Sequence, residues 1–448
     1  MTLGPSSSNE QQPHEEGAGS RPSRKARARV ANRVRALVKI LFVLVLCTAA
    51  MAPVIGLQVQ RNPGLTPIDE LAYTDYLYKV GHGHFIIGHG ESVGGDALRE
   101  KACRGVARGI QAPRLQACTA ALPKPAGQNT ADIDPPTYYV LTFVAARVLE
   151  SFGVTHNLVT AGRLAGAAWA GSALTVIVLL CRAIGVPGPA AAVAAAAAGV
   201  TSGLVTQWQY VTPHAADLTV GGLVVLAVVV WERQRIGPWA LVLAGALPPL
   251  VKASQVVIAL AMAFYLLVGA GWDRDGPSRV DRRRLVGGVA VLASLAASSV
   301  VWLHIRTHYT LHNSDPFTFL DAHGFKLQYL LDNVGRFLLP WSGGVGRGLS
   351  ALVVVWCYGV AARATTDRAS APAVRRLGLS ALVAGALGAA VFVVSNYVLV
   401  GQYYEIPERY GFALVPLALA LGATALRTRT AVVAAGVVCV LLLAALIA

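Results

Sequence analysis

The stretch that decides the fold is ALVKILFVLVLCTAAMAPVIGL (residues 36–57), together with the polar residues directly after it, QVQRNPGLTPIDELAY (58–73). The first segment is long and apolar enough to cross ~30 Å of hydrocarbon at about 1.5 Å per residue. The basic run Arg21, Arg24, Lys25, Arg27, Arg29, Arg33, Arg35 and Lys39 precedes or enters it. Such a run holds its own side in the cytoplasm. The segment is too long for a signal-peptide core and shows no clear cleavage site, so it reads as an uncleaved anchor. The polar loop after it, residues 58–159, is then extracytoplasmic. Adjacent carboxylates, Asp69 and Glu70, stand near its start. Acids held at a membrane are costly, which asks for a functional reading.

Composition agrees with a membrane chain. The protein has 448 residues, 55% of them hydrophobic and 14% charged, with a mean hydropathy of +0.54. Repeated apolar runs make it an all-α polytopic membrane protein. The formal charge of +15 invites a nucleic-acid partner. The basic residues, however, gather at the ends of apolar runs, where they set topology, so no nucleic acid is expected. Arg far outnumbers Lys and Ala is abundant, as in high-GC bacteria, which places the chain in a bacterial plasma membrane. Residues 1–35, rich in Ser, Gly, Glu and Pro and then in Arg, read as a disordered basic cytoplasmic tail.

Residues 137–153 test the topology. Their apolar part is short and carries Arg147 and Glu150. Pro135-Pro136 after Asp134 is a good helix opening, and Tyr138, Tyr139 and Phe143 suit a lipid–water interface. The segment reads as a helix lying on the outer surface. The core at 160–448 then holds spans near 160–182, 188–208, 214–231, 237–250, 251–271, 285–304, 348–364, 376–400, 410–426 and 430–448. With 36–57 the total is about eleven. This register places Arg182, Arg233, Arg235, Arg282, Arg283, Arg284, Arg363, Arg375 and Arg376 on the cytoplasmic side. A spanning 137–153 would put them all on the wrong side. Pro248-Pro249 is expected to split 237–271 into two short helices, as happens where backbone lines a cavity. A second extracytoplasmic loop, 305–347, carries aromatic residues suited to headgroups or a lid.

Several constellations could carry chemistry. Asp69-Glu70 opens a helix-like stretch, where acids complement the helix dipole; the alternative is a general base that takes a proton from an acceptor hydroxyl. Lys252 either snorkels to the headgroups or serves a site, and Asp217 is an acid set against an apolar run. His82, His84 and His89 have weak metal-ligand spacing, and no metal is assigned to them. Cys103 and Cys118 share the polar loop and read as a disulfide, worth roughly 3 kcal/mol in the chain-entropy model.

The order of features resembles the GT-C superfamily of integral-membrane glycosyltransferases, in an actinobacterial type. A first span is followed by Asp69, Glu70 and Tyr73, then by Pro135, Pro136, Tyr138 and Tyr139, then by Phe152, Gly153, Arg163 and Leu164. Lys252 in PLVKASQ resembles a mid-chain Lys of the superfamily, and Glu408-Arg409-Tyr410 resembles an Arg-Tyr motif of related bacterial proteins. The likeness covers residues 36–260 and is weaker beyond. Asp134 stands where relatives often carry His or Lys.

The resemblance implies a GT-C-like fold and transfer of a sugar from a polyprenyl-phosphate donor to an envelope glycan, lipid or protein, outside the cell and with inversion. It implies Asp69 as the base with Glu70 as partner or alternate. Arg163, Asp217, Lys252, Arg409, Tyr410, Tyr138 and Tyr139 would then form the substrate and phosphate site. It leaves a divalent metal open. A transporter or flippase of a lipid-linked precursor is the alternative from another class, and a noncatalytic GT-C-like protein is a third. No inverted repeat of the transporter kind is visible, and the polar residues gather on one side, which favours the enzyme.

Overall fold

The computed structural model describes residues 24–67, 69–106, 127–272, 281–310, 327–338, 347–400 and 406–447. Among them there is no strand, only isolated bridges at Leu65–Val106 and Ser92–Gln128. The chain divides into a unit ending at Val43 and a unit from Leu44 onward. The described part of the first is the start of helix α1 (Arg24–Arg61). The basic stretch from Arg24 lies in this helix.

In the second unit the loop carries α2 (Glu70–Gly81), α3 (Gly95–Arg104) and α4 (Thr137–Ser151). The next two helices, α5 (Leu158–Leu164) and α6 (Gly166–Ala183), together make one span-length element. Helices α7 (Gly188–Val200) and α8 (Ser202–Trp208) come next, then α9 (Asp217–Glu232), α10 (Trp239–Val251) and α11 (Val256–Trp272). The remainder comprises α12 (Arg282–His308), α13 (Leu327–Leu338), α14 (Arg347–Thr366), α15 (Pro372–Val400), α16 (Val415–Ala423) and α17 (Arg429–Ile447).

The expected count of about eleven spans is not reproduced by helix length and composition alone. Among the described residues, eight helices are long and apolar enough to cross a membrane, or nine if α7 and α8, bent by 69° at Thr201, form one span. Helix α10 has 13 residues, about 20 Å of rise against ~30 Å of hydrocarbon. Helix α16 has only 9 residues, preceded by a 3-10 segment, Glu408–Leu414. The expected spans 237–250 and 410–426 thus hold helices shorter than a full span, though α10 still runs from the end that holds Trp239 to the end that holds Lys252. Helix α4 is not among the span-length helices either. Loop 305–347 is also not one open loop: α12 runs into it as far as His308, and α13 lies within it.

The break near Pro248-Pro249 falls after the prolines rather than at them. Both lie inside α10, and the chain turns extended at Lys252 (φ −160°, ψ 135°) before the 3-10 turn Ala253–Gln255. Pro248 and Pro249 lack the N–H groups that would serve the carbonyls of Ala244 and Gly245, and the last carbonyls of α10 have no helical partner because the helix ends. The Thr137 hydroxyl, 2.6 Å away, donates to one of these last carbonyls, that of Leu250.

Helix direction separates two ends of the bundle. Asp217 begins α9, Lys252 comes just after α10, and Arg306 lies near the end of α12. All three belong to the end that holds Asp69. Glu232, Trp239, Arg282 and Arg376 belong to the opposite end, where Arg376 meets Glu232 at 2.6 Å. Close helix contacts obey the membrane rule of small residues at interfaces. A Cβ at Gly221 of α9 would run into the Ala413 carbonyl oxygen, and one at Gly245 of α10 into Ser294 of α12. The first contact seats the Glu408–Leu414 turn against α9.

Candidate active site

Five chain segments converge where helices break: the start of α2, the residues before α4, the start of α9, the Lys252–Gln255 turn and the Glu408–Leu414 turn. Broken helix ends expose donors and acceptors that intact helices consume.

The two acids of the loop take different partners. Both oxygens of Glu70 are used. The Arg163 Nε donates to Oε1 at 2.9 Å and Nη2 to Oε2 at 2.8 Å. The backbone N–H groups of Thr66 and Val211 donate to the same carboxylate at 2.8 and 3.2 Å. Arg163 also donates to the carbonyls of Asn62 and Gly64, each at 2.7 Å. The Arg163 and Glu70 side chains are 0% and 1% exposed.

Asp69 stands apart from that lock. Its backbone is left-handed (φ 64°, ψ −20°), and its side chain caps no N–H of α2. Left-handed backbone strains a residue with a side chain, least so for Asp and Asn. Here it turns the carboxylate away from the capping position. Oδ2 instead accepts from Arg409 Nη2 at 2.7 Å, and the side chain stays 33% exposed. The dipole-complement reading therefore fits Glu70, in the first turn, better than Asp69.

Arg409 is held from behind. Its Nε donates to His214 Nε2 at 2.9 Å. His214 Nδ1 lies 2.8 Å from Asp217 Oδ2, and Gln255 Nε2 donates to Asp217 Oδ1 at 2.8 Å. A guanidinium only donates, so His214 Nε2 must accept. Its proton is then on Nδ1, pointing at Asp217. Tyr410 stacks on the imidazole, with centroids 5.7 Å apart. The chain Asp217–His214–Arg409 thus fixes the plane of the guanidinium that meets Asp69.

Lys252 does not snorkel. Its ammonium is buried and reaches Asp134 at 2.9 and 3.0 Å, with the Tyr73 ring 5.8 Å away. Burial pushes the Asp134 carboxyl up, and the Lys252 charge and hydrogen bond oppose that. Two residues earlier, Asp132 accepts from Arg306 at 2.9 Å and meets His89 at 2.7 Å. The segment before α4 is therefore clamped to two transmembrane elements. Tyr138 and Tyr139 are fully buried rather than at a lipid–water interface. Tyr138 Oη accepts from the Thr212 N–H at 3.1 Å, and Tyr139 stacks on Tyr76 at 4.0 Å.

A cavity of about 150 Å³ opens beside Arg409, lined by Thr66, Glu70, Tyr73, Gln207 and Tyr210 among others. Whole-ligand pockets run ~300–1,000 Å³, so this one has room for an anionic headgroup and not for a whole lipid-linked sugar. Burial, then the charges of Asp134 and Asp69, pushes the Tyr73 phenol well above its ordinary range. It stays protonated and able to donate.

The sequence-derived residues Asp69, Glu70, Arg163, Asp217, Lys252, Arg409 and Tyr410 therefore meet in one region. The roles of His214 and Gln255 were not read from the sequence. The i, i+3 spacing of His214 and Asp217 at a span's start was the available signal. Cys103 lies in α3, whereas Cys118, its expected partner, lies outside the described residues; Cys47, Cys181, Cys357 and Cys439 are free thiols. His82, His84 and His89 take separate carboxylates, Asp96, Glu91 and Asp132. Among the described residues no His, Cys, Asp and Glu cluster could hold a metal.

No family model matches the chain, and no curated protein does. Solved structures that resemble it include ArnT from Cupriavidus metallidurans bound to undecaprenyl phosphate, at 16% identity and a TM-score of 0.48, and the same protein in the apo state, at 17% and 0.47. In each case the likeness covers 86% of this chain and 60% of the other, so the chain spans about three fifths of the structures it matches.

Proposed function

We propose that the protein is a GT-C-type membrane glycosyltransferase. It moves a sugar from a polyprenyl-phosphate donor to a hydroxyl of an envelope glycan, lipid or protein on the extracytoplasmic face. The observation that carries this reading is Asp69. It is a part-exposed carboxylate in left-handed backbone, held 2.7 Å from Arg409, and Arg409 lines a small cavity among broken helix ends. The order of motifs from Asp69 to Arg409 supports it.

In this reading the acceptor oxygen bonds to the anomeric carbon as the bond to the phosphate oxygen breaks. The hydroxyl proton passes to Asp69, and polyprenyl phosphate departs with the electron pair, with inversion. Arg409 is the first cation for the phosphate, because guanidinium pairs well with phosphate oxygens. Such binding draws the guanidinium from Asp69 and frees the carboxylate for the proton. Lys252 and the Tyr73 phenol supply further donors to the developing charge, and Tyr410 backs the site by stacking on His214. Asp217 acts through His214. Glu70, whose acceptors are already used, and Arg163, whose donors are, hold the loop in place, and Tyr138 and Tyr139 pack it.

The test is transfer from radiolabelled polyprenyl-phosphate sugars to envelope extracts by purified protein. Asp69→Asn removes the base and should lower transfer by ~10²–10⁴-fold while the protein folds and inserts. Full transfer by that variant overturns the base assignment. Movement of the labelled lipid across a bilayer, with no transfer, favours a flippase.

A further inference from the structure

The end of the bundle opposite Asp69 carries a second feature that the transfer reading does not use. Helices α9, α10 and α12 leave a cavity of about 680 Å³ between their ends. Leu241, Val286 and Ala290 form its apolar part, and Trp231, Gln234, Arg282 and Arg283 its polar mouth. Val286 is 58% exposed on the apolar side, next to the exposed Leu285 and Val289.

Three observations at the mouth point the same way. Arg284 meets the carboxylates of Glu232 and Asp281. Among the described residues its neighbours Arg282 and Arg283 meet none. Arg283 is also held in place, 4.4 Å over the Trp231 ring and donating to the Trp231 carbonyl at 2.8 Å. Finally, Gln234 sits in left-handed backbone (φ 58°) just past the end of α9. Glycine is the unstrained choice after a helix C-terminus. An amide kept there against strain implicates its side chain.

We propose that this slot binds one anionic phospholipid. The phosphodiester sits between Arg282, Arg283 and the Gln234 amide, and an acyl chain lies along Leu241, Val286 and Ala290. Charge complementarity selects the occupant. Two guanidinium groups with no carboxylate partner among the described residues stand where spans end and headgroups begin, and a molecule with both an anionic head and an apolar tail satisfies both parts of the slot.

The full-length protein in detergent is exposed to mixtures of phosphatidylglycerol and phosphatidylcholine, and retained lipid is counted by native mass spectrometry. Two arginines near an anionic headgroup predict a preference of about thirtyfold for phosphatidylglycerol. The R282Q/R283Q protein should lose it. Q234G relieves backbone strain, so it should fold at least as well and still show a reduced preference. V286W fills the apolar part and should abolish retention with both arginines intact. Equal retention of the two lipids by the native chain overturns the proposal. Undiminished preference in folded R282Q/R283Q, or in V286W, does the same. Displacement of the lipid by soluble glycerol phosphate at equal concentration assigns the mouth to a free phosphate and overturns the lipid assignment.

Discussion

Asp69 and Glu70 are neighbours in sequence with opposite environments, and one backbone angle separates them. Glu70, in the first turn of α2, is sealed against Arg163 in a pair with 1% and 0% exposure. Desolvating two charges is expensive, and removing one partner leaves the other buried and uncompensated. Glu70→Gln should therefore destabilise the protein by roughly 3 kcal/mol, read as a lowered midpoint of thermal unfolding in detergent. A change that leaves stability intact but abolishes transfer would instead return Glu70 to the chemistry. Asp134 gains a physical account at the same scale. It is the counterion of Lys252 at 2.9 Å.

At the scale of elements, the site depends on where helices stop. Helix α10 ends at Lys252, and its partner segments are the turns that precede α9 and α16. Gly221 brings the Glu408–Leu414 turn onto α9, because any Cβ there would strike the Ala413 carbonyl. Gly221→Val should cost about 1–3 kcal/mol by overpacking and displace Arg409 from His214. The check is loss of transfer in a variant that still inserts. The loop has its own clamp in Lys79, which meets Asp75 at 2.8 Å and Glu91 at 2.6 Å. Burial pushes the Glu91 carboxyl up, but the Lys79 hydrogen bond, the Gly88 N–H and the Lys79 charge outweigh it and hold it below the usual range. A carboxyl lowered in the folded state stabilises above its unfolded pKa, ~4.3. That contribution is lost as pH falls through the lower, folded value. The protection of residues 82–94 against hydrogen exchange, relative to the intrinsic rate at each pH, should fall below about pH 4, and Glu91→Gln should remove that acid dependence.

For the whole molecule, the arrangement of arginines was legible before any contact was known. Arg182, Arg233, Arg235, Arg282, Arg283, Arg284, Arg363 and Arg376 all fall at the end opposite Asp69, as the topology from charge requires. Single cysteines at His156 and Gln234, both exposed, should react with a membrane-impermeant maleimide from opposite faces of sealed cells or vesicles. Labelling of both from one face contradicts the register of the spans between them. The number of spans was less legible than their charge. Hydropathy registers that 237–250 and 410–426 are apolar, but not that α10 and α16 are shorter than a full span.

The chain by itself determined the membrane class, the separation of its charged ends and the clustering of Asp69, Asp217, Lys252 and Arg409 on one side. Those properties arise from transfer energies and helix rise, which are sums over local sequence. Which acid stays available, how His214 orients Arg409 and what partners Asp134 were decided only by the tertiary structure. Glu70 meets Arg163 across 93 residues and Asp69 meets Arg409 across 340. Pairings at that separation leave no periodicity to read, because they arise from close helix approach at small residues and from the breaks that turn polar groups inward.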